Sequence, residues 1–127
     1  MDEALQRRLE LFEQTGQAEA QVCRFVAAEL ATVTARGLTV TEDSAGTLTS
    51  HLVLALQRGR NGEPVTQFPA ADVISAELAS HPDALQHAHE LADRARTALA
   101  VTLPEQEVRF LALHLAALTT RAPNPKR

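Results

Sequence analysis

The sequence has no Trp and no Tyr, four Phe and five Gly in 127 residues. A core without large aromatics must be built from Leu, Val and Ala, and with so few glycines that composition favours helices over strands. The one cysteine, Cys23, has no partner for an internal disulfide and reads as a small core hydrophobe rather than a reactive thiol. No N-terminal signal peptide is evident, so a reducing cytoplasm is the expected compartment. Apolar runs fall well short of the roughly 20 residues a membrane span needs; the longest, Val108 to Leu118, contains Arg109 and His114. Nor is there an excess of positive charge. The formal net charge is −4, which argues against direct, non-specific nucleic-acid binding. The glycine patterns GxGxxG, GxxxxGK[ST] and GxSxG are absent, which removes the common nucleotide and hydrolase signals. His81, His87 and His89 lack metal-ligand spacing and read as exposed residues, so no metal and no cofactor are expected.

What is present is 45% apolar, enough for one domain with one packed core. Helical spacing of Leu5, Leu9 and Phe12 predicts a first helix from Glu3 to Gln14, ended at Thr15-Gly16. A second, over Ala18 to Arg36, carries the stripe Val22, Phe25, Val26, Leu30 and Val33 and stops at Gly37. Thr41 or Asp43 caps a third that reaches Gly59, with Leu48, Leu52, Ala55 and Leu56 facing inward. Gly59 to Pro64 is a loop. A short fourth helix is predicted over Pro69 to Leu78. The fifth runs to Leu99, with Ser80 as the cap and Pro82 in its first turn. The fold class is therefore all-α, a compact bundle of five to six helices.

The last helix is the most distinctive stretch. Thr102-Leu-Pro-Glu105 fits a capping box, and Glu105 and Glu107 place negative charge at the positive helix end. Beyond them the residues are apolar nearly all round, which marks a central helix. His114 sits in the middle of it. Glu107 lies seven residues earlier and Phe110 four, both on the same face. Taken alone, His114 is most simply a neutral core histidine donating one hydrogen bond to a neighbouring helix. A small helical enzyme using His114 and Glu107 lacks any accompanying nucleophile or oxyanion element. The third helix repeats the theme: His51 lies in an apolar segment, and Arg58 follows two turns later on the same face. A guanidinium there would suit a phosphorylated imidazole; it would equally suit the C-terminal end of a helix dipole.

His51-Leu-x-x-Ala-Leu-x-Arg58, the Asn61-Gly62 loop, Leu103-Pro-Glu-x-Glu107 and Leu111-Ala-Leu-His114-Leu together resemble the PTS regulation domain. They occur in the order and approximate spacing of that family. The resemblance spans about Ala18 to Leu118, and implies a division into an extra N-terminal helix (1–17), the domain itself (18–120), and a tail (121–127). It implies an all-helical, commonly homodimeric regulatory domain of the bacterial sugar phosphotransferase system, and not an enzyme. Its phosphorylated histidines map onto His51 and His114, with Arg58 as a phosphate neighbour. The phosphoryl donors it implies are HPr or EIIB proteins. The position before the first histidine, often Asp in the family, is Ser50 here. No output module for RNA or DNA is recognisable, so an unidentified effector protein is expected to receive the signal. The alternative is a helical binding or assembly module that keeps the fold without phosphorylation.

Overall fold

The computed structural model describes residues 2–63 and 71–121. They form six α-helices: α1 (Glu3–Gln14), α2 (Ala20–Ala35), α3 (Glu42–Arg60), α4 (Ala71–Leu78), α5 (Pro82–Leu99) and α6 (Glu105–Arg121). No strand occurs among the described residues. The all-α bundle read from composition and periodicity is the observed architecture. Pro69 and the tail from residue 122 onward lie outside the described residues.

Helix ends follow local chemistry, with three departures from expectation. Thr41 caps α3: its Oγ1 accepts from the Ser44 amide at 3.2 Å, and the Ser44 hydroxyl accepts from the Thr41 amide at 3.0 Å. Two otherwise unpaired donors at the helix start are thereby satisfied. Asp2 Oδ2 accepts from Leu5 N in α1 and from Glu42 N in α3, at 3.2 and 3.1 Å, tying the two helix starts together. The second helix begins at Ala20, two residues later than the apolar stripe suggested, because the backbone amides of Gln17 and Ala18 still bond to the Phe12 carbonyl and complete the turn after α1. His81, not Ser80, occupies the cap position of α5, and it makes no side-chain capping bond. The capping box over Thr102–Glu105 does not form as read. The helix starts at Glu105, and the Pro104 carbonyl takes its first bond, from Val108 N at 3.0 Å. Thr102 therefore lies outside the cap, and the Glu105 side chain is taken by His89 and Arg109 instead.

The core gathers one face from every helix. Leu5, Leu30, Leu52, Leu56, Leu111 and Leu118 are fully buried, each contributing about 2 kcal/mol relative to exposure. Helix α2 packs on α5, α3 on α6, and α5 on α6; α4 covers one side of α6, and α1 lies across α2 and α3. Two polar ties join helices around this core. Glu29, 4% exposed, accepts from Arg94 Nε and Nη2, both at 2.7 Å. Arg60 donates to the Leu99 carbonyl at 2.9 Å and to Glu19 at 2.7 Å, fastening the end of α3 to the end of α5 and the start of α2.

At the same place Val101, 1% exposed, fills the space over Gly59. A Cβ on Gly59 would stand 2.5 Å from Val101 Cγ1. Ala100, just before, adopts φ +59°, a left-handed conformation unfavourable for a residue with a Cβ. Both substitutions should reverse the ordinary helix preference for Ala over Gly. Gly59→Ala should destabilise by about 1–3 kcal/mol through overpacking. Ala100→Gly should stabilise by about 0.5 kcal/mol, strain relief outweighing the added freedom of the unfolded chain. Urea denaturation of the two variants beside the parent protein checks both signs.

Candidate functional site

The packing of α3 against α6 brings the two sequence-predicted histidines together. On α6, Glu107, Phe110 and His114 recur at three- and four-residue spacing and so face one way. On α3, Leu48, Leu52, Val53 and Leu56 turn into the core, which leaves His51 at the edge of the seam with α6. The ring centroids of His51 and His114 are 5.7 Å apart. Phe110 forms the third corner of a triangle with them, at 4.7 Å from His51 and 5.0 Å from His114, edge-on to the latter.

Glu107 completes the cluster and was mispaired by sequence spacing. Two turns before His114 on one helix face, it reads as that residue's partner. In the folded chain its Oε2 is bonded to His51 Nε2, across 56 residues of sequence. The Glu107 side chain is 3% exposed and the His51 side chain 27%. A carboxylate that buried requires a partner, and His51 supplies it. His114 makes no hydrogen bond among the described residues, contrary to the simplest reading of it as a core histidine bonded to a neighbouring helix. Burial holds its pKa below the ordinary 6.5, with the proximity of His51 adding to the effect and Glu107 opposing it.

Arg58 is exposed, and no bond to His51 or to any other side chain is found for it among the described residues. A different arginine lies near the first histidine. Arg8 of α1 donates from Nη1 to the Ser50 hydroxyl at 2.8 Å and pairs with Glu42. Glu42, Gly46 and Ser50 recur every four residues on one face of α3, and Gly46 has no side chain to block the guanidinium, which passes 2.9 Å from where its Cβ would be. Nothing in the spacing of the first helix announced this contact; Arg8 looks like any solvated cation in an amphipathic pattern.

The remaining histidines depart in part from expectation. His89 is exposed, as read, and pairs with Glu105 at 3.2 Å. His87, expected at the surface, is buried at 4% exposure, and its Nε2 has no hydrogen-bond partner. Burial, reinforced by Arg36 and Arg94, pushes its pKa down. No group of metal-ligating side chains occurs among the described residues.

The shifts of His87 and His114 have a common consequence for stability. Both histidines stay neutral in the fold at pH values where the unfolded chain has begun to protonate. Stability should therefore be full above about pH 6.5 and fall as pH drops below it, until the folded-state pKa values are passed. A double variant, His87→Gln with His114→Gln, should flatten the dependence of Tm on pH below about 6.5. Carboxylates held low by donated hydrogen bonds, Glu42 by Arg8 and Glu90 by Gln86 and Arg36, act only at lower pH.

Comparison with curated proteins and with solved structures returns no match. A family model, that of the PRD domain, matches residues 34–118. The match runs from the end of α2 through α6 and takes in His51, Arg58, Glu107 and His114, while α1 lies outside it. It covers well over half of the chain, and with both motif histidines in one cluster between α3 and α6, the chain belongs to the PRD family, the PTS regulation domains.

Proposed function

We propose that this protein is a regulatory unit of the bacterial phosphotransferase system, controlled by reversible phosphorylation of His51 and His114 and not itself an enzyme. The observation that carries the reading is the placing of both motif histidines in one partly open cluster within a PRD-family domain. A structural histidine has no need of a second one 5.7 Å away.

The arrangement gives phosphorylation a physical effect. A phosphoryl group on either ring puts a dianion beside the buried carboxylate of Glu107 and the apolar edge of Phe110. Repulsion and desolvation then work against the packing of α3 on α6, and cations are drawn toward the site. Arg58, on the same face of α3 as His51 and free of internal partners among the described residues, is the cation that can respond. Leu54, 38% exposed one turn from His51, is an apolar side chain beside the site that a second copy or an effector protein would cover. We place the protein in the cytoplasm as a homodimer, with HPr or EIIB proteins as donors. None of the described helices is long and apolar enough to cross a membrane.

The test is transfer of label from phosphoenolpyruvate through enzyme I and HPr, and separately through EIIB proteins, to the purified chain. Acid-labile label should appear and should fall by about half in His51→Ala or His114→Ala if the sites are modified equally; the double variant should carry none. Arg58→Ala should accept label but show a smaller shift in oligomeric state on phosphorylation, read by light scattering. If no donor transfers label, the protein is instead a binding or assembly module that retains the fold, a reading to which Ser50 in place of the family's acidic residue already lends weight.

A further inference from the structure

We propose that Glu107 acts as the positioning residue for His51, holding the ring in its Nε2–H tautomer and presenting Nδ1 as the nitrogen that accepts the phosphoryl group. This rests on the phosphorylation reading above and adds to it which atom reacts and why.

An ionised carboxylate has no proton to donate, so in the bond between His51 and Glu107 Oε2 the donor must be His51 Nε2–H. In a neutral imidazole the other nitrogen then carries the lone pair. Nδ1 of His51 makes no hydrogen bond among the described residues. The His51 side chain is 27% exposed while its Nε2 is turned to the buried Glu107, so Nδ1 is the nitrogen left for the open side of the ring. One nitrogen of the ring is thus occupied by a buried group, and the other is a nucleophile open to an incoming protein.

The chemistry balances without a further base. The Nδ1 lone pair forms the new N–P bond, and the bond from phosphorus to the carrier protein breaks, its electron pair remaining on the carrier. Nε2 keeps its proton throughout, and the ring becomes an imidazolium bearing a phosphoryl group. The positive charge that develops on the ring lies against the Glu107 carboxylate, which is 3% exposed and so acts with little screening by water. A carboxylate that orients a histidine and balances its developing charge is a recurrent device in nucleophilic and acid–base sites. The ring is also stacked at a tilt on Phe110, centroids 4.7 Å apart, which limits its rotation away from Glu107. His114 has no comparable carboxylate bond among the described residues, so the two histidines are chemically unequal although they are neighbours.

Two measurements test the proposal. Long-range 15N–1H correlation spectra of the unmodified protein, with His51→Ala for assignment, should show His51 as the Nε2–H tautomer. After phosphorylation through enzyme I and HPr, and in parallel by phosphoramidate, which needs no protein donor, 31P and ring 15N shifts should identify Nδ1-phosphohistidine at His51. Glu107→Gln keeps the shape of the side chain but can present either an acceptor or a donor. It should give mixed tautomers and slow labelling of His51 by roughly tenfold or more, with the helical circular dichroism unchanged. An Nδ1–H tautomer in the parent protein, or phosphate on Nε2 of His51, overturns the assignment even if labelling succeeds. Failure of HPr, EIIB proteins and phosphoramidate alike to label His51 overturns the phosphorylation reading instead, and the tautomer alone then decides whether Glu107 positions the ring. Should Glu107→Gln not fold, the tautomer and the phosphorylated nitrogen of the parent protein decide the question.

Discussion

The buried carboxylate of Glu107 is the constraint on which the site depends. It stands in the first turn of α6, in a helix otherwise given to apolar packing, and is almost wholly removed from water. Such a group is tolerated only with a partner close by. The partner is His51, on a helix far away in sequence, so the pairing fixes how α3 sits against α6 as well as how the imidazole is turned. Phe110 and His114 follow from the same helix face. The cluster is therefore not four residues that happen to meet; three are set by the period of α6, and the fourth is held to them by the need to satisfy a charge.

The arginines of the fold divide by what already engages them. Arg60 and Arg94 are committed to the fold, one bracing the ends of three helices and the other neutralising the buried Glu29. Arg8 is held by Glu42 and Ser50. Arg58, exposed on the His51 face of α3, has no such engagement among the described residues. The distinction bears on how added negative charge would be felt. A cation already paired must exchange one anion for another and gains little, whereas an unpaired one gains the full interaction. Arg8 also reaches α3 from α1, which lies outside the residues that match the PRD domain. Through it, and through Asp2 at both helix starts, α1 is joined to the helix that carries His51.

Some of this was legible in the residues themselves. The six helices follow from apolar spacing and from Gly and Pro positions, because helix periodicity is a local property of the chain. Errors were confined to helix starts, as at Ser80 and Thr102, where several residues compete to cap and the winner depends on how the neighbouring loop is pulled. The burial of Val101 is one such pull, and it shows in the left-handed Ala100. The burial of His87 is hidden from the sequence for a related reason. Its neighbours His81 and His89 are less buried or exposed, and a polar residue two positions from an exposed one lies on a well-separated face whose surroundings only packing determines.

By itself the sequence determined the fold class, the order and approximate limits of the helices, and the identity of His51 and His114 as the residues of interest. Those depend on periodicity, composition and a motif, all of which are written along the chain. Tertiary structure decided the partners: that Glu107 serves His51 and not the histidine on its own helix, that Arg8 and not Arg58 touches the residue beside His51, and that His87 is buried. Residues two turns apart on one helix share a face but stand about 10 Å apart along its axis, whereas a facing helix brings side chains into direct contact. Spacing can therefore say which residues look the same way, and only packing says what they meet.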